Sequence, residues 1–373
     1  MNLDSCARLH LDRRGRLSSY FSCGVIGGVA GIAVVIALGA LRPAASPAAW
    51  PVALLALPLF LIAVKVSHII AGYERIVLYE KLLAVMLGTG LVLHALDRPV
   101  WLGLELCVIG VGTFLIAGRV GCLRVGCCHG RPHRWGIVYG AEHGRAGFTA
   151  HYVGVRLFPV QLLASLATAA LIGCSVVLFL RPHRPGEVVC VYLAGYAVVR
   201  WCLELLRGDP QRPYWLGASE AQWLALVTSW GAVYLSARLD LQLGWLYLGA
   251  AGAVSLASLV LIVAARLLAG HPWALRQPHR VAELAAALDE LGNGSELATT
   301  QTTGGLRISF SREGDLLHYG LSREGSTLSE PAARELARQL AILGHYAGEP
   351  ELVAGRQPGV FHARVHPGPA LGA

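Results

Sequence analysis

Residues Cys23–Leu41 read CGVIGGVAGIAVVIALGAL, an uninterrupted apolar run without a single charged side chain. A helix needs ~20 mostly apolar residues to cross the hydrocarbon core of a bilayer. The whole chain has a similar character, because 55% of its 373 residues are hydrophobic and 14% are charged. Soluble domains carry about 25% charged residues. The sequence therefore predicts a protein whose main solvent is lipid, with this run as a retained first helix.

Seven further apolar runs follow, and together they predict an all-α polytopic membrane protein with about 7–8 transmembrane helices. The eight runs lie near residues 23–41, 50–66, 79–96, 100–117, 159–180, 188–206, 220–235 and 245–268. The third run is the weakest, because it begins with Glu80 and Lys81. The longest polar segment between runs, 118–158, is a predicted extramembrane loop, and loops of this length usually carry function or cover a site.

The composition changes after residue 270, where charged residues become frequent. Apolar residues at helical spacing over 280–291 predict a helix, and the alternation of Leu306, Ile308 and Phe310 predicts a strand. We expect a small soluble α+β appendage without a catalytic constellation. The predicted organisation has three parts: a basic N-terminal segment 1–22, a transmembrane domain 23–270 and the appendage 271–373.

The charge of the chain indicates its partners. A net charge of +8 favours contact with anionic lipid headgroups. Nucleic-acid binding is disfavoured, because the basic residues are spread between the apolar runs rather than gathered on one polar face. The membrane is therefore an expected partner, and nucleic acid is not.

The sixth run carries polar residues at helical spacing. Tyr196, Arg200 and Glu204 follow each other in steps of four and share one helical face. An arginine at the centre of a membrane helix costs about 2.5–3.5 kcal/mol on insertion scales, and such residues usually face the interior of a bundle. Two interpretations stay open. The face either forms an ion pair that makes insertion tolerable, or it lines a polar cavity, where Arg207 adds positive charge that favours an anion.

A glycine-rich stretch, GRVGCLRVGCCHGRP, covers residues 118–132 at the end of the fourth run. One interpretation is that Arg119 sits there only because a cation is favoured at a helix C-terminus. The glycine density argues for more than a cap, since glycine lets the backbone fold closely. A guanidinium group matches a phosphate bidentately. We therefore expect Arg119 and Arg200, from different spans, to bind one phosphodiester at headgroup level.

The cysteines of this stretch have three interpretations. With His129 and His133 nearby, Cys122, Cys127 and Cys128 are candidate zinc ligands, since zinc takes thiolate and imidazole ligands. Adjacent cysteines are also candidate redox groups. The C-x4-C-C-H spacing lacks the usual C-x2-C pair, and close packing of small residues is the favoured interpretation. No metal and no cofactor are expected.

Several motifs together resemble divergent members of the prolipoprotein diacylglyceryl transferase family. The pattern Gly-Arg-x-Gly-Cys-x3-Gly-Cys-Cys-x-Gly over 118–130 carries the resemblance. Pro159-x-Gln161 at the fifth run, Tyr-x3-Arg-x3-Glu-x2-Arg-Gly-Asp over 196–209, and Gly-Ala-Ser-x2-Gln over 217–222 agree with the family in order and spacing. The resemblance covers roughly residues 23–236.

The resemblance implies a multi-pass enzyme of the bacterial plasma membrane. Such enzymes move a diacylglyceryl group from phosphatidylglycerol to the thiol of a lipobox cysteine in a prolipoprotein and release glycerol phosphate. The arginines would stabilise the departing phosphate, and a base near the thiol would help to form the nucleophilic thiolate. The implied catalytic residues are Arg119, Arg200, Tyr79 and Glu204, and the implied substrate-binding residues are Tyr196, Arg207, Gln161, Cys122, Cys127, Gly121 and Gly130.

The sequence also departs from the family pattern. Phe158 stands where the family has histidine, Ala164 where it has a carboxylate, and Cys122 and Cys127 where it has Asn and Glu. Two other functions therefore stay open. One is a catalytically diverged protein that binds an anionic phospholipid, and the other is a thiol redox or metal-binding membrane protein.

Overall fold

Among the residues that the structure describes, eight helices of 18 residues or more occupy most of the chain up to Leu267. The computed structural model describes residues 19–71, 78–209, 214–267, 275–292, 297–314 and 316–366. Within these residues the long helices are α1 Ser19–Leu41, α2 Ser46–Ala71, α3 Leu78–Ala95, α4 Val100–Val125, α6 Val160–Leu180, α7 Glu187–Leu205, α8 Glu220–Arg238 and α9 Gly244–Leu267. A short helix, α5 Ala141–Arg145, lies in the predicted loop.

Six of these helices are long and apolar enough to cross a membrane. They are α1, α2, α4, α6, α7 and α9, and they agree with six of the eight predicted runs. The runs predicted at 79–96 and 220–235 are also helical, as α3 and α8, but they fall outside this set. The described chain is therefore mostly helical, with several helices suited to a bilayer.

The described residues group into two units by their contacts. The first comprises the described parts of Met1–Gly130, Phe158–Arg207 and Ala218–Val260. The second comprises the described parts of Arg131–Leu157, Gly208–Gly217 and Leu261–Ala373.

Small residues allow close helix packing in the first unit. A Cβ atom on Gly31 of α1 would lie 2.6 Å from the carbonyl oxygen of Gly110 in α4. Membrane helices commonly meet through such small residues, because lipid tails compete with larger apolar side chains for contact. The Gly31–Gly110 contact therefore brings the backbones of α1 and α4 together.

A buried ionic cluster lies near the start of α4. Glu105 is fully buried; its carboxylate accepts hydrogen bonds from the backbone N–H groups of Gly186 at 2.6 Å and Val188 at 3.4 Å. The second oxygen lies 3.0 Å from Nε2 of His183. Arg42, beyond the end of α1, lies 3.1 Å from the His183 ring and donates to the Phe179 carbonyl at 2.9 Å. The cluster ties α1, α4, α6 and α7 together at one end of the bundle.

The second unit contains a five-stranded antiparallel sheet, whose neighbouring strands are, in order, β5 Leu297–Gln301, β6 Leu306–Glu313, β7 Leu316–Arg323, β9 Phe361–His366 and β8 Ala347–Ala354. Two helices contribute Leu284 and Leu336 to the hydrophobic core shared with Ile308 and Leu321 of the sheet. The other elements of this unit are β1 Pro132–Val138, β2 Arg156–Leu157, β3 Tyr214–Trp215, α10 Pro278–Gly292 and α11 Glu330–Leu343. The strand β4 Ala218–Ser219 belongs to the first unit and precedes α8.

Residues of the segment predicted as an extramembrane loop belong to the same core. Tyr139, Phe148, Tyr152 and Leu157 are buried and join the hydrophobic cluster of the C-terminal helices and sheet. β1 pairs antiparallel with β2 and brings the two ends of this loop together. The loop is therefore structured and shares its hydrophobic core with the C-terminal segment.

Replacing Glu105 with alanine is expected to destabilise the helical bundle. The change removes the acceptor of two buried N–H groups and leaves the His183 side chain without its carboxylate. Removing one partner of a buried pair costs roughly 3–5 kcal/mol. Unfolding by SDS in mixed micelles measures the loss. Glu142→Ala, at an exposed position of α5, is the matched control and is expected to unfold like the wild type. Equal stability of the two variants would show that the Glu105 cluster contributes little.

The same cluster predicts that stability depends on pH. Burial acts to lower the pKa of His183, and Arg42 acts the same way. The hydrogen bonds of His183 with Glu105 and with the Arg181 carbonyl, together with the charge of Glu105, outweigh them and raise it. The stabilisation is therefore fully present below the unfolded-state pKa of about 6.5 and is lost as pH rises through the raised folded-state pKa. The melting temperature is expected to fall over this upper range in the wild type. In His183→Gln this fall should be absent, and a fall of the same size there would assign it to another group.

Candidate functional site

One cavity in the first unit brings together residues from the ends of α4, α6 and α7. Most of the described lining residues are polar or charged, unlike the apolar exterior of these helices. The lining residues are Arg119, Cys128, Val160, Gln161, Ala164, Thr168, Tyr196, Arg200, Leu203 and Arg207. The cavity therefore contains both arginines that the sequence predicts to act together.

Arg200 makes an ion pair and also lines the cavity. Its Nη1 atom lies 2.6 Å from an Oε atom of Glu204, one turn further along α7. Both residues are buried, with 7% and 3% of their surface exposed. Tyr196 precedes Arg200 by one turn and stacks on Tyr192, with ring centroids 5.7 Å apart and an angle of 6° between the planes. The face therefore forms an ion pair and also lines a polar cavity, so the two interpretations of it do not exclude each other.

Three guanidinium groups line the cavity. Arg119 is half-buried in the last two turns of α4, and Arg207 is 2% exposed just beyond α7. The backbone of Arg207 forms an antiparallel bridge with Gly130, which holds the end of α7 beside the glycine-rich stretch. Among the described lining residues there are three arginines and no carboxylate. The positive charge of the cavity suits an anionic ligand.

The start of α6 fixes the glycine-rich stretch. The side-chain amide of Gln161 donates to the carbonyl of Cys127 at 2.8 Å. The N–H of Gly130 donates to the Phe158 carbonyl at 3.0 Å. Gln161 therefore serves as a positioning residue for the stretch and also lines the cavity.

The cysteines lie where α4 ends and the chain turns back. Cys122 is in the last turn of α4, and Gly126 ends the helix in a left-handed conformation with φ 82°. Cys128 also has a positive φ of 60°, which is uncommon for residues other than glycine. The Sγ atoms of Cys122, Cys127 and Cys128 all lie within 4.8 Å of one another. Two left-handed residues thus gather three thiols beside the cavity.

The electrostatic environment distinguishes these thiols. Hydrogen bonding with Cys122 and Cys127 holds the pKa of Cys128 well below its usual value. Burial opposes this shift, whereas the positive charges of Arg207 and Arg119 reinforce it. Negative charge on the cluster is therefore favoured at Cys128, chiefly through the hydrogen bonds from its two neighbours.

The remaining sequence-predicted site residues lie outside the cavity lining. Cys122, Cys127 and Glu204 lie beside lining residues. Gly121 packs against α1, where an added Cβ would lie 3.1 Å from the Cβ of Cys23. Tyr79 is in the first turn of α3, but its side chain lies outside the described residues.

The predicted site left out five of the lining residues: Cys128, Val160, Ala164, Thr168 and Leu203. Cys128 was considered only with its neighbours, because spacing does not show which thiol faces the cavity. Ala164 and Thr168 follow Gln161 at intervals of three and seven. These intervals place them on the same helical face, and this signal could have identified them.

Comparison with known proteins agrees with the resemblance of the motifs. A family model described as prolipoprotein diacylglyceryl transferase matches residues 76–238, which include every residue of the cavity lining. This part of the chain is therefore similar to prolipoprotein diacylglyceryl transferases. The resemblance predicted from the motifs is thereby confirmed. The matched segment ends before α9 and the C-terminal sheet.

Individual relatives of this family are distant. A protein of Clostridium perfringens named phosphatidylglycerol–prolipoprotein diacylglyceryl transferase 2 is 25% identical over 189 residues, covering 46% of this chain and 71% of that protein. Two proteins named phosphatidylglycerol–prolipoprotein diacylglyceryl transferase also match. The Clostridium tetani protein is 31% identical over 108 residues, covering 29% of this chain and 42% of its own length. The Dehalococcoides mccartyi protein is 24% identical over 198 residues, with coverages of 47% and 70%.

Replacing Gly130 with alanine is expected to disturb the site, although glycine and alanine differ by one methyl group. The new Cβ would lie 2.6 Å from the Phe158 carbonyl oxygen and 2.8 Å from Val160 Cγ2. Relieving such overpacking typically costs about 1–3 kcal/mol. Gly118→Ala is the control, because Gly118 lies inside α4 and a Cβ there would have no neighbouring atom within 4 Å beyond the backbone of its own helix. It should be neutral or stabilising by up to about 1 kcal/mol. Unfolding in mixed micelles compares the two variants, and equal stability would contradict the close approach at Gly130.

Proposed function

We propose that the protein is a membrane enzyme that transfers the diacylglyceryl group of phosphatidylglycerol to the cysteine thiol of a prolipoprotein lipobox. The observation that carries this proposal is the convergence of Arg119, Arg200 and Arg207 in one cavity. The names of the family relatives support the same substrates and reaction.

The depth of the cavity suits a phospholipid headgroup. Arg119 precedes the end of α4 by six residues, and Arg200 precedes the end of α7 by five. At 1.5 Å per residue, both lie within about 9 Å of the helix ends. A headgroup phosphate at the bilayer boundary can therefore reach the guanidinium groups while its acyl chains stay in the hydrocarbon core.

The chemistry of the transfer suits these residues. The thiolate sulfur attacks the glyceryl carbon that carries the phosphate. A C–S bond forms, the C–O bond breaks, and its electron pair leaves with glycerol phosphate. Guanidinium groups stabilise the negative charge that develops on the departing phosphate, which is an electrostatic form of catalysis. Arg119 and Arg200 are assigned this role. Glu204 orients Arg200 through their ion pair, and Tyr79 remains the expected base.

The chain connections support eight crossings and an extramembrane C-terminal domain. α8 and α9 lie between Gly208–Gly217 and the C-terminal segment, which belong to one unit. The chain returns to the same side only if it crosses the membrane an even number of times between these two segments. Because α9 is one of the six apolar helices, α8 is assigned as the second crossing. Short connections join α3 to α2 and to α4, which are both apolar enough to span, and we assign α3 as a span as well. The location that suits this protein is the bacterial plasma membrane.

A second function is favoured by one feature of the cavity. Ala164 lines it at the position where the family resemblance implies a carboxylate. A protein without that group can retain the phosphate-binding arginines and hold an anionic phospholipid without transferring it. Lipid that co-purifies with the protein, together with no transfer to any lipobox peptide, would select this function.

Transfer is expected to depend on the arginines of both helices. The assay uses proteoliposomes that contain phosphatidylglycerol labelled in its diacylglyceryl group, with a lipobox peptide as acceptor. Arg119→Ala is expected to lower kcat/KM by roughly 100–1,000-fold, the usual cost of losing one group that stabilises the transition state. Arg200→Lys keeps a cation beside Glu204 but loses the planar fork, and should also reduce transfer strongly.

A matched control lies at the opposite end of α7. Arg184 is partly exposed and pairs with Asp240 at 2.7 Å, and Arg184→Ala is expected to retain wild-type transfer. Wild-type rates in Arg119→Ala and Arg200→Lys would remove the assigned role of these arginines.

A further inference from the structure

The three thiols have the geometry of a metal site. Zinc binds thiolate sulfur at about 2.3 Å in tetrahedral geometry, which places two sulfur ligands about 3.8 Å apart. The Sγ atoms of Cys122, Cys127 and Cys128 already lie within 4.8 Å of one another. A shortening of each separation by about 1 Å or less would bring all three onto a single ion.

The backbone supports this arrangement before any ion binds. The left-handed conformations of Gly126 and Cys128 turn the chain so that the last two thiols return to Cys122. Gln161 holds the turn by donating to the Cys127 carbonyl at 2.8 Å. The C-x4-C-C spacing does not reveal this, because it lacks the familiar C-x2-C pair and the return of the chain depends on backbone conformation.

The number of ligands indicates the kind of site. Structural zinc sites are closed by four protein ligands, whereas catalytic sites use three and leave the fourth position for water or substrate. Among the described residues, the ligand group contains these three thiols and no histidine or carboxylate. The cluster therefore matches the catalytic type.

The charges around the cluster also fit. Three thiolates and one Zn²⁺ carry a net charge of −1, and Arg119 and Arg207 interact electrostatically with Cys128. Cys128 lines the same cavity as these arginines. An ion held by the cluster would therefore lie beside the proposed phosphate site.

We propose that Cys122, Cys127 and Cys128 bind a zinc ion whose fourth position takes the acceptor thiol of the lipobox peptide. This inference rests on the proposed function and assigns the part of the site that receives the second substrate. It departs from the expectation of no metal, which rested on ligand spacing alone.

A bound zinc ion would convert the acceptor thiol into the nucleophilic thiolate. A thiol that coordinates a metal is deprotonated, so the acceptor thiol releases its proton to solvent when it binds. Its sulfur then forms a bond to the glyceryl carbon, and the C–O bond to phosphate breaks with its electron pair on the departing oxygen. The product thioether is uncharged and is a weaker ligand than the thiolate, so it leaves the ion.

The test begins with metal binding by the full-length protein in detergent under reducing conditions. We expect one Zn²⁺ per chain, and after exchange for Co²⁺ a thiolate-to-cobalt charge-transfer absorption. Cys128→Ser should lose this absorption. Cys174→Ser, at an exposed cysteine of α6, should retain it. A lipobox peptide should shift the cobalt spectrum, and the same peptide with serine in place of cysteine should not.

Transfer assays separate failure of the zinc site from failure of the proposed function. Removal of zinc from the wild-type protein by a chelator should abolish transfer, and added Zn²⁺ should restore it. This test does not depend on the folding of any variant. Arg119→Ala should lose transfer but keep the cobalt spectrum.

Undiminished transfer by metal-free protein would overturn the zinc site and leave the proposed function standing. A zinc-binding protein that never transfers lipid would overturn the acceptor role and the proposed function while the metal site stands. A disulfide within the cluster under reducing conditions would overturn the metal site.

Discussion

Glu105 is fully buried in α4, where it binds the first N–H groups of α7 and the ring of His183. In an apolar bundle each buried charge must be paired or hydrogen-bonded, because desolvation costs several kcal/mol per ion. This requirement positions α7 relative to α4 at one end of the bundle. The arginines at the other end of both helices depend on that alignment, so the cavity is built on an interaction distant from it.

The two ends of the bundle satisfy the same constraint differently. At the Glu105 end, the polar groups satisfy one another, and the described lining residues of the cavity all lie elsewhere. At the opposite end, Glu204 pairs with Arg200 while Arg119, Arg200 and Arg207 all line the cavity. The contrast separates a stabilising cluster from the proposed ligand-binding one, although both are rich in buried charge. Burial of charge alone would not have distinguished them.

Local patterns predicted much of the architecture. Apolar runs predicted all eight long helices, and the four-residue steps of Tyr196, Arg200 and Glu204 predicted their common face. The link between Glu105 and His183 could not be predicted, because the two residues are 78 positions apart and neither belongs to a motif. The convergence of the thiols also lay beyond the sequence, since it requires a left-handed backbone at Cys128, a residue type that rarely adopts it. Gly121 had the signature of a site residue, but close helix packing accounts for its position.

The shared core of the second unit constrains how this protein can change over time. Tyr139, Phe148 and Tyr152 are loop residues, yet they are buried in one hydrophobic core with the C-terminal helices and sheet. Loss of the C-terminal segment by a nonsense mutation would leave these aromatic side chains facing water, and substitutions in the loop favour compensating ones in the C-terminal segment, because the shared core is closely packed. The two stretches are therefore bound to coevolve. A descendant that discards the C-terminal segment must first acquire a more hydrophilic loop.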